Sequence, residues 1–154
     1  MITIVAVGKI KEKALVSLLD EYKKRISGYT KIEIIECDDE PNDKLPDNQV
    51  KEIEGQRILK QIKKDAYVIL LDLRGKALDS VQLAQKIQEI NTYHSSNITF
   101  VIGGSLGVSD EVKERADYLF KMSDLTFPHN LARLIILEQI YRSYKIANNE
   151  KYHK

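Results

Sequence analysis

The 154-residue chain is poor in the residue types that mark several common chemistries. It holds a single cysteine, Cys37, so no disulfide can form within it. No CxxC partner or nearby histidine activates that thiol. A reducing compartment suits such usage, and a cytoplasmic location is expected. Its three histidines, His94, His129 and His153, lack metal-ligand spacing and have no cysteine cluster beside them, so no metal site is expected. Long hydrophobic runs are missing. The apolar opening Met1-Ile-Thr-Ile-Val-Ala-Val7 has no basic leader and is too short for a signal core or a membrane span. It is expected to be a buried strand, and no membrane association is expected. The formal net charge of +1 gives no global attraction to nucleic acid.

Two nucleotide-binding signatures are absent as well. No Walker A sequence occurs. A GxGxxG fingerprint ending at Gly107 would need glycine at 102, where the chain has Ile102. That fingerprint also sits at a first βα turn, and here Gly8 stands alone before Lys9.

What is present is a globular composition, 43% hydrophobic and 31% charged, long enough for one domain with a real core. Charge is unevenly placed. Residues 36–54 hold eight acids against Lys44 and Lys51, whereas residues 129–154 hold Arg133, Arg142, Lys145, Lys151 and Lys154 against Glu138 and Glu150. A local basic face and ordinary solvated helix faces both account for this.

Strand and helix signals alternate. Ile2–Val7 is strand-like, and Glu12–Ser27 carries Leu15, Leu18, Leu19, Tyr22 and Ile26 at helical spacing. Lys31–Glu36 alternates as a half-buried strand. Cys37–Asn48, with Pro41 and Pro46, is expected to be a loop, and Val50–Lys63 a helix. Tyr67–Leu71 and Ile98–Ile102 are continuous apolar runs, which suit a parallel sheet covered on both faces. Asp72–Asp79 is expected to be a turn, with Asp79 or Ser80 capping a helix to about Tyr93. Ser109 caps a short helix ending near Ala116, and Tyr118–Met122 is a short strand. Pro128 suits the first turn of a last helix with a broad apolar face. The expectation is a single α/β domain over residues 1–154, with a mainly parallel sheet and helices on both faces. Some of the last helix's apolar surface is expected to bury against a second copy in a two-fold dimer.

Candidate functional groups gather near element ends, where α/β proteins place ligands. Gly103, Gly104 and Gly107 follow a buried strand, and a structural turn, a phosphate cradle and close backbone contact with a nucleoside-like ligand are all open. Asp72-Leu-Arg-Gly-Lys76 and Met122-Ser-Asp-Leu-Thr-Phe127 follow two other strands, so three loops could line one pocket. His129 and Arg133 stand one helical turn apart and can face one side. Tyr152 and His153 lie at the chain's end, either by chance or as a tail ordered by a ligand or partner.

These residues together resemble a known family. Ile4-Val-Ala-Val-Gly-Lys9, Glu54-Gly-Gln-Arg57, Leu71-Asp-Leu-Arg-Gly-Lys76, Phe100-Val-Ile-Gly-Gly-Ser105, Leu125-Thr-Phe-Pro-His129, Glu138-Gln-Ile-Tyr-Arg142 and Tyr152-His-Lys154 span nearly the whole chain. They look like the SPOUT-class methyltransferases, and more closely the RlmH (YbeA-like) family. The resemblance implies a C-terminal trefoil knot, a homodimer, and S-adenosyl-L-methionine held by Leu71, Gly103, Met122, Ser123, Asp124, Leu125, Thr126 and Phe127. It implies methylation at N3 of a pseudouridine in 23S ribosomal RNA (position 1915) on the assembled ribosome. The tail bearing Tyr152 and His153 would reach the partner's pocket. Leu106 replaces a usual Asn or Asp, Leu125 a common Met, and Asn149 a glycine before the tail.

For such a reaction His129, Arg133, Arg142, Tyr152 and His153 are the candidate catalytic residues. Arg133 or Arg142 would stabilise the base anion, and His129 or the partner's His153 would act as base or orienter. Three rivals make different expectations. A flavodoxin-like nucleotide module would bind a phosphate-bearing ligand. A non-enzymatic ribosome-associated dimer would not bind the sulfonium donor. A Rossmann-type methyltransferase would carry its glycine loop after the first strand.

Overall fold

The computed structural model describes residues 1–41 and 43–154. Ten elements alternate strictly: β1 (Ile2–Val7), α1 (Lys13–Ser27), β2 (Ile32–Cys37), α2 (Asp47–Gln61), β3 (Tyr67–Ala77), α3 (Ser80–Tyr93), β4 (Ile98–Ile102), α4 (Asp110–Arg115), β5 (Tyr118–Lys121) and α5 (His129–Ala147). The strands form one sheet in the order β2-β1-β4-β3-β5. Every pairing is parallel.

The period of two in the central strands decides what each face buries. Ile2, Ile4 and Ala6 of β1, Ile98, Phe100 and Ile102 of β4, and Ile69 of β3 point to one face. There they meet Leu19 and Ile26 of α1, Leu83, Ile87 and Ile90 of α3, and Ile136, Leu137 and Ile140 of α5. Val5, Val7, Val68, Leu70 and Val101 point to the other face, against Ile58 of α2 and Val112 of α4. This two-sided burial explains the uninterrupted apolar runs of the central strands. The edge strand β2 is only half buried, as its alternation requires.

Helix starts follow local chemistry. Asp79 Oδ1 accepts from the Gln82 N–H at 2.7 Å and Gln82 Oε1 accepts from the Asp79 N–H at 2.9 Å, a reciprocal cap that fixes Ser80 as the first residue of α3. Ser109 Oγ accepts from the Val112 N–H and opens α4. Pro128 stands in the cap position of α5, one residue before the helix proper.

Two expectations need correction. The loop expected at Cys37–Asn48 is shorter: Cys37 closes β2, and α2 starts at Asp47 behind Pro46. Asn42 within that loop lies outside the described residues. The turn expected at Asp72–Asp79 is instead an excursion within β3. Leu71 and Lys76 both pair with Phe120 of β5, and the intervening residues leave the ladder. Gly75 permits the return, because a β-carbon there would stand 2.5 Å from the Leu119 carbonyl group. Asp72 Oδ1 accepts from the Arg74 N–H at 2.8 Å and shapes the outward bend.

Candidate active site

Strands β4, β3 and β5 are neighbours, so the segments that leave their carboxyl ends emerge side by side. They enclose a cavity of about 570 Å³. Ile102 through Val108 form one wall, and Leu71 through Arg74 of the β3 excursion form another. Phe120, Met122, Ser123, Leu125, Thr126 and Phe127 supply a third, with His129 and Ala132 of α5 beside it. Gly107, at φ +90°, and the 3.0 Å hydrogen bond from its N–H to the Gly104 carbonyl fold the glycine segment into a tight turn. A β-carbon on Gly103 would lie 2.5 Å from Val108 Cγ1. The glycines therefore serve the turn and keep the backbone bare at the cavity.

Of the eight expected donor contacts, Leu71, Gly103, Met122, Ser123, Leu125, Thr126 and Phe127 line this cavity. Asp124 does not. Its carboxylate accepts from Lys121 Nζ at 2.7 Å, its side chain is 91% exposed, and that hydrogen bond holds its pKa below the usual aspartate value. Ser105, Leu106 and Leu73 also face the cavity, as do Lys51 of α2 and Lys113 of α4. The first three were legible as members of strand-end loops. Nothing local marks the two lysines, which arrive from helices on the other face.

A second cavity, about 620 Å³, adjoins the first, and Gly104, Ser105 and His129 line both. Arg133 borders this second space rather than the first. Its guanidinium is 2% exposed, donates from Nη1 to Glu36 Oε2 at 2.6 Å and from Nη2 to the Gly8 carbonyl at 3.0 Å. Gly8 can offer that carbonyl because it holds φ at +93°. His129 and Arg133 do share a helix face, yet Arg133 is tied to the ends of β1 and β2.

Arg142, Tyr152 and His153 assemble at the opposite end of α5. Arg142 grips Glu138 from Nη2 at 2.6 Å and from Nε at 3.0 Å, and its Nη1 lies 3.1 Å from His153 Nδ1. The Tyr152 ring lies under that guanidinium at 4.8 Å and meets Tyr141 edge-on at 5.0 Å. The Tyr152 hydroxyl donates to Glu138 Oε1 at 3.2 Å, and burial, helped by the Glu138 charge, pushes its pKa up to about 12. Glu138 is the organiser the candidate list lacked. Its i, i+4 spacing to Arg142 was the available signal. Thirteen residues of helix separate Arg142 from His129, about 20 Å at 1.5 Å per residue. One chain therefore does not bring its tail to its own strand-end cavity.

Among the described residues, no group of three or more His, Cys, Asp and Glu side chains could hold a metal ion. No helix among them is long and apolar enough to cross a membrane.

An all-parallel α/β sheet with a strand-end cavity walled by a glycine turn and a β5–α5 loop defines an α/β protein with a candidate ligand site at its strand ends. Comparison with known proteins gives the family. Residues 1–153 match the family model described as "Predicted SPOUT methyltransferase". The chain is 49% identical to the ribosomal RNA large subunit methyltransferase H of Acetivibrio thermocellus and 52% identical to that of Clostridioides difficile, over 99% of both chains in each case. A solved structure described as a probable methylase family protein from Haemophilus influenzae has the same fold, with TM-score 0.56 and 18% identity. That match covers 99% of this chain and 70% of the other. The chain thus belongs to the SPOUT methyltransferases, within the ribosomal RNA large subunit methyltransferase H family.

Proposed function

We propose that this protein methylates N3 of a pseudouridine in large-subunit ribosomal RNA, using S-adenosyl-L-methionine and acting as a homodimer on the assembled ribosome in the cytoplasm. One observation carries the reading. Seven of the eight residues that family resemblance assigns to the donor converge on a single cavity from three adjacent strand ends. Its volume suits a nucleoside-sized ligand, and its walls pair apolar surface from Leu71, Ile102, Leu106, Met122 and Phe127 with bare backbone at Gly103 and Gly104. Those walls match an adenosyl group, which needs a flat apolar slot and a few main-chain hydrogen bonds.

When bound, the donor supplies an electrophilic sulfonium methyl, so the protein's task is alignment and proton handling. Transfer of that methyl to N3 would leave a neutral thioether and requires a base to take the N3–H proton. Leu71, Met122 and Phe127 exclude water around the reacting atoms. Arg142, held flat by Glu138 and Tyr152, stabilises the imide anion in the pocket of a second copy. His129, or the partner's His153, takes the N3 proton. Arg133 is committed to Glu36 and Gly8, and its role is to hold the start of α5, and with it His129, against the sheet.

The test is incubation of isotopically labelled donor with ribosomes from a strain lacking this protein, followed by nucleoside mass spectrometry. The expected product is labelled N3-methylpseudouridine. Label in another nucleoside, or in none, overturns the reading.

A further inference from the structure

Glu54 of α2 is a carboxylate only 5% exposed. Its Oε2 accepts from the Glu40 backbone N–H at 3.0 Å. Its Oε1 lies against Gly104, where a β-carbon would stand 2.6 Å away. No protein donor reaches Oε1 among the described residues, and the one fully sealed, unpaired side-chain polar atom among them is Arg133 Nε. Oε1 is therefore open, and the space Glu54 borders is the second cavity. A nearly buried carboxylate oxygen with no donor is a site for an incoming N–H.

The surrounding charge agrees. Glu12, Asp38, Asp39 and Glu40 also line this groove, with Lys9, Lys11 and Arg133; Asp38 is paired with Lys9, Glu40 with Arg57, and Arg133 with Glu36. The carboxylates left over, Glu12, Asp39 and Glu54, outnumber Lys11 and favour a ligand edge that offers hydrogen-bond donors. Its contact with the first cavity runs through Gly104, Ser105 and His129, so a ring lodged here would stand next to whatever that cavity holds.

We propose that the second cavity receives the acceptor base and that Glu54 accepts a hydrogen bond from its N1–H, making Glu54 a specificity-determining residue. The inference rests on the function proposed above. A pseudouridine carries two ring N–H groups. With N3 turned toward the donor, N1–H remains for Glu54. Uridine places C5–H at that position and leaves the carboxylate desolvated without a partner, a mismatch that disfavours uridine.

The experiment compares kcat/KM on ribosomes carrying pseudouridine at the acceptor position with ribosomes from a strain lacking the corresponding pseudouridine synthase, which carry uridine there. Wild-type protein is expected to favour pseudouridine by on the order of ten- to a hundredfold. Glu54→Gln, which keeps the shape and loses the charge, is expected to cut that ratio about tenfold by slowing only the pseudouridine reaction. Glu54→Ala is expected to bring it near unity. Donor affinity, measured by calorimetry, is expected to change no more than a few-fold in any variant that folds, because Glu54 touches the donor cavity only through Gly104. Should Glu54→Ala fail to bind donor through misfolding, the Glu54→Gln ratio decides. A wild-type ratio retained by Glu54→Gln, or by a folded Glu54→Ala, overturns the role of Glu54 while leaving the function intact. Absence of transfer by wild-type protein to pseudouridine ribosomes overturns the parent reading and this one with it.

Discussion

The two ends of α5 are built in opposite ways. At its start Pro128 caps without a side-chain hydrogen bond, Leu125 is 70% exposed, and His129 fronts two cavities. At its end polar groups are paired: Arg142 with Glu138, Lys145 with Glu150, and Tyr29 with Glu150. Asn149, at φ +55°, then reverses the chain so that Tyr152 lies back on the helix. One end is open where a ligand would enter. The other is a finished assembly of aromatic and charged groups, ordered within its own chain and about 20 Å from its own cavity. The ordered tail and the open cavity are thus separated along one helix, as the proposed action of the tail on a second copy requires.

The strongest way to break this contrast is Arg142→Ala. It should lower methyl transfer by on the order of a hundredfold or more while leaving donor affinity unchanged, read by single-turnover rates and calorimetry. A parallel fall in donor affinity would mean that the two ends are not distinct. Mixed dimers sharpen the same point. Gly103→Phe blocks the cavity, and deletion of residues 152–154 removes the tail. Each is expected to be inactive alone. Randomly reassorted mixtures should recover roughly a quarter of wild-type activity, because half the dimers are mixed and each has one complete site. No recovery would place the tail's action in its own chain.

Stability tests separate the ends further. Gly75→Ala forces a β-carbon into the Leu119–Phe120 backbone and should destabilise by about 2–3 kcal/mol in urea titration, with donor binding weakened in the folded fraction. The smallest effect is at the tail. The Lys145 ammonium and then the Tyr29 hydroxyl hold the Glu150 carboxyl below its ordinary 4.5. A depressed folded pKa means the contribution is present above pH 4.5 and fades as pH falls through the lower folded value. Glu150→Gln should therefore lower the melting temperature slightly at neutral pH and not at all in strong acid.

Much of this was legible in the sequence because it is local. Apolar runs at Tyr67–Leu71 and Ile98–Ile102 and caps at Asp79 and Ser109 each depend on a few neighbouring residues. Most of what escaped depends on distant partners. Arg133 borders the second cavity with His129, as their spacing suggested, but only the fold reveals that its guanidinium is tied to Glu36, 97 residues away in sequence. Asp124 sat inside a correctly placed loop, but Lys121 turned it outward. Glu54 carried no signal beyond a family motif, since its open oxygen exists only where α2 meets the glycine turn.

The detour in β3 has one more consequence. Leu71 and Lys76 both stay anchored to Phe120, so the pocket wall between them hangs from the sheet at two fixed points. Amide exchange along this strand should be slow at both anchors and fast between them. The bridging residues can therefore be exchanged to retune ligand preference with the register of β3 on β5 left untouched.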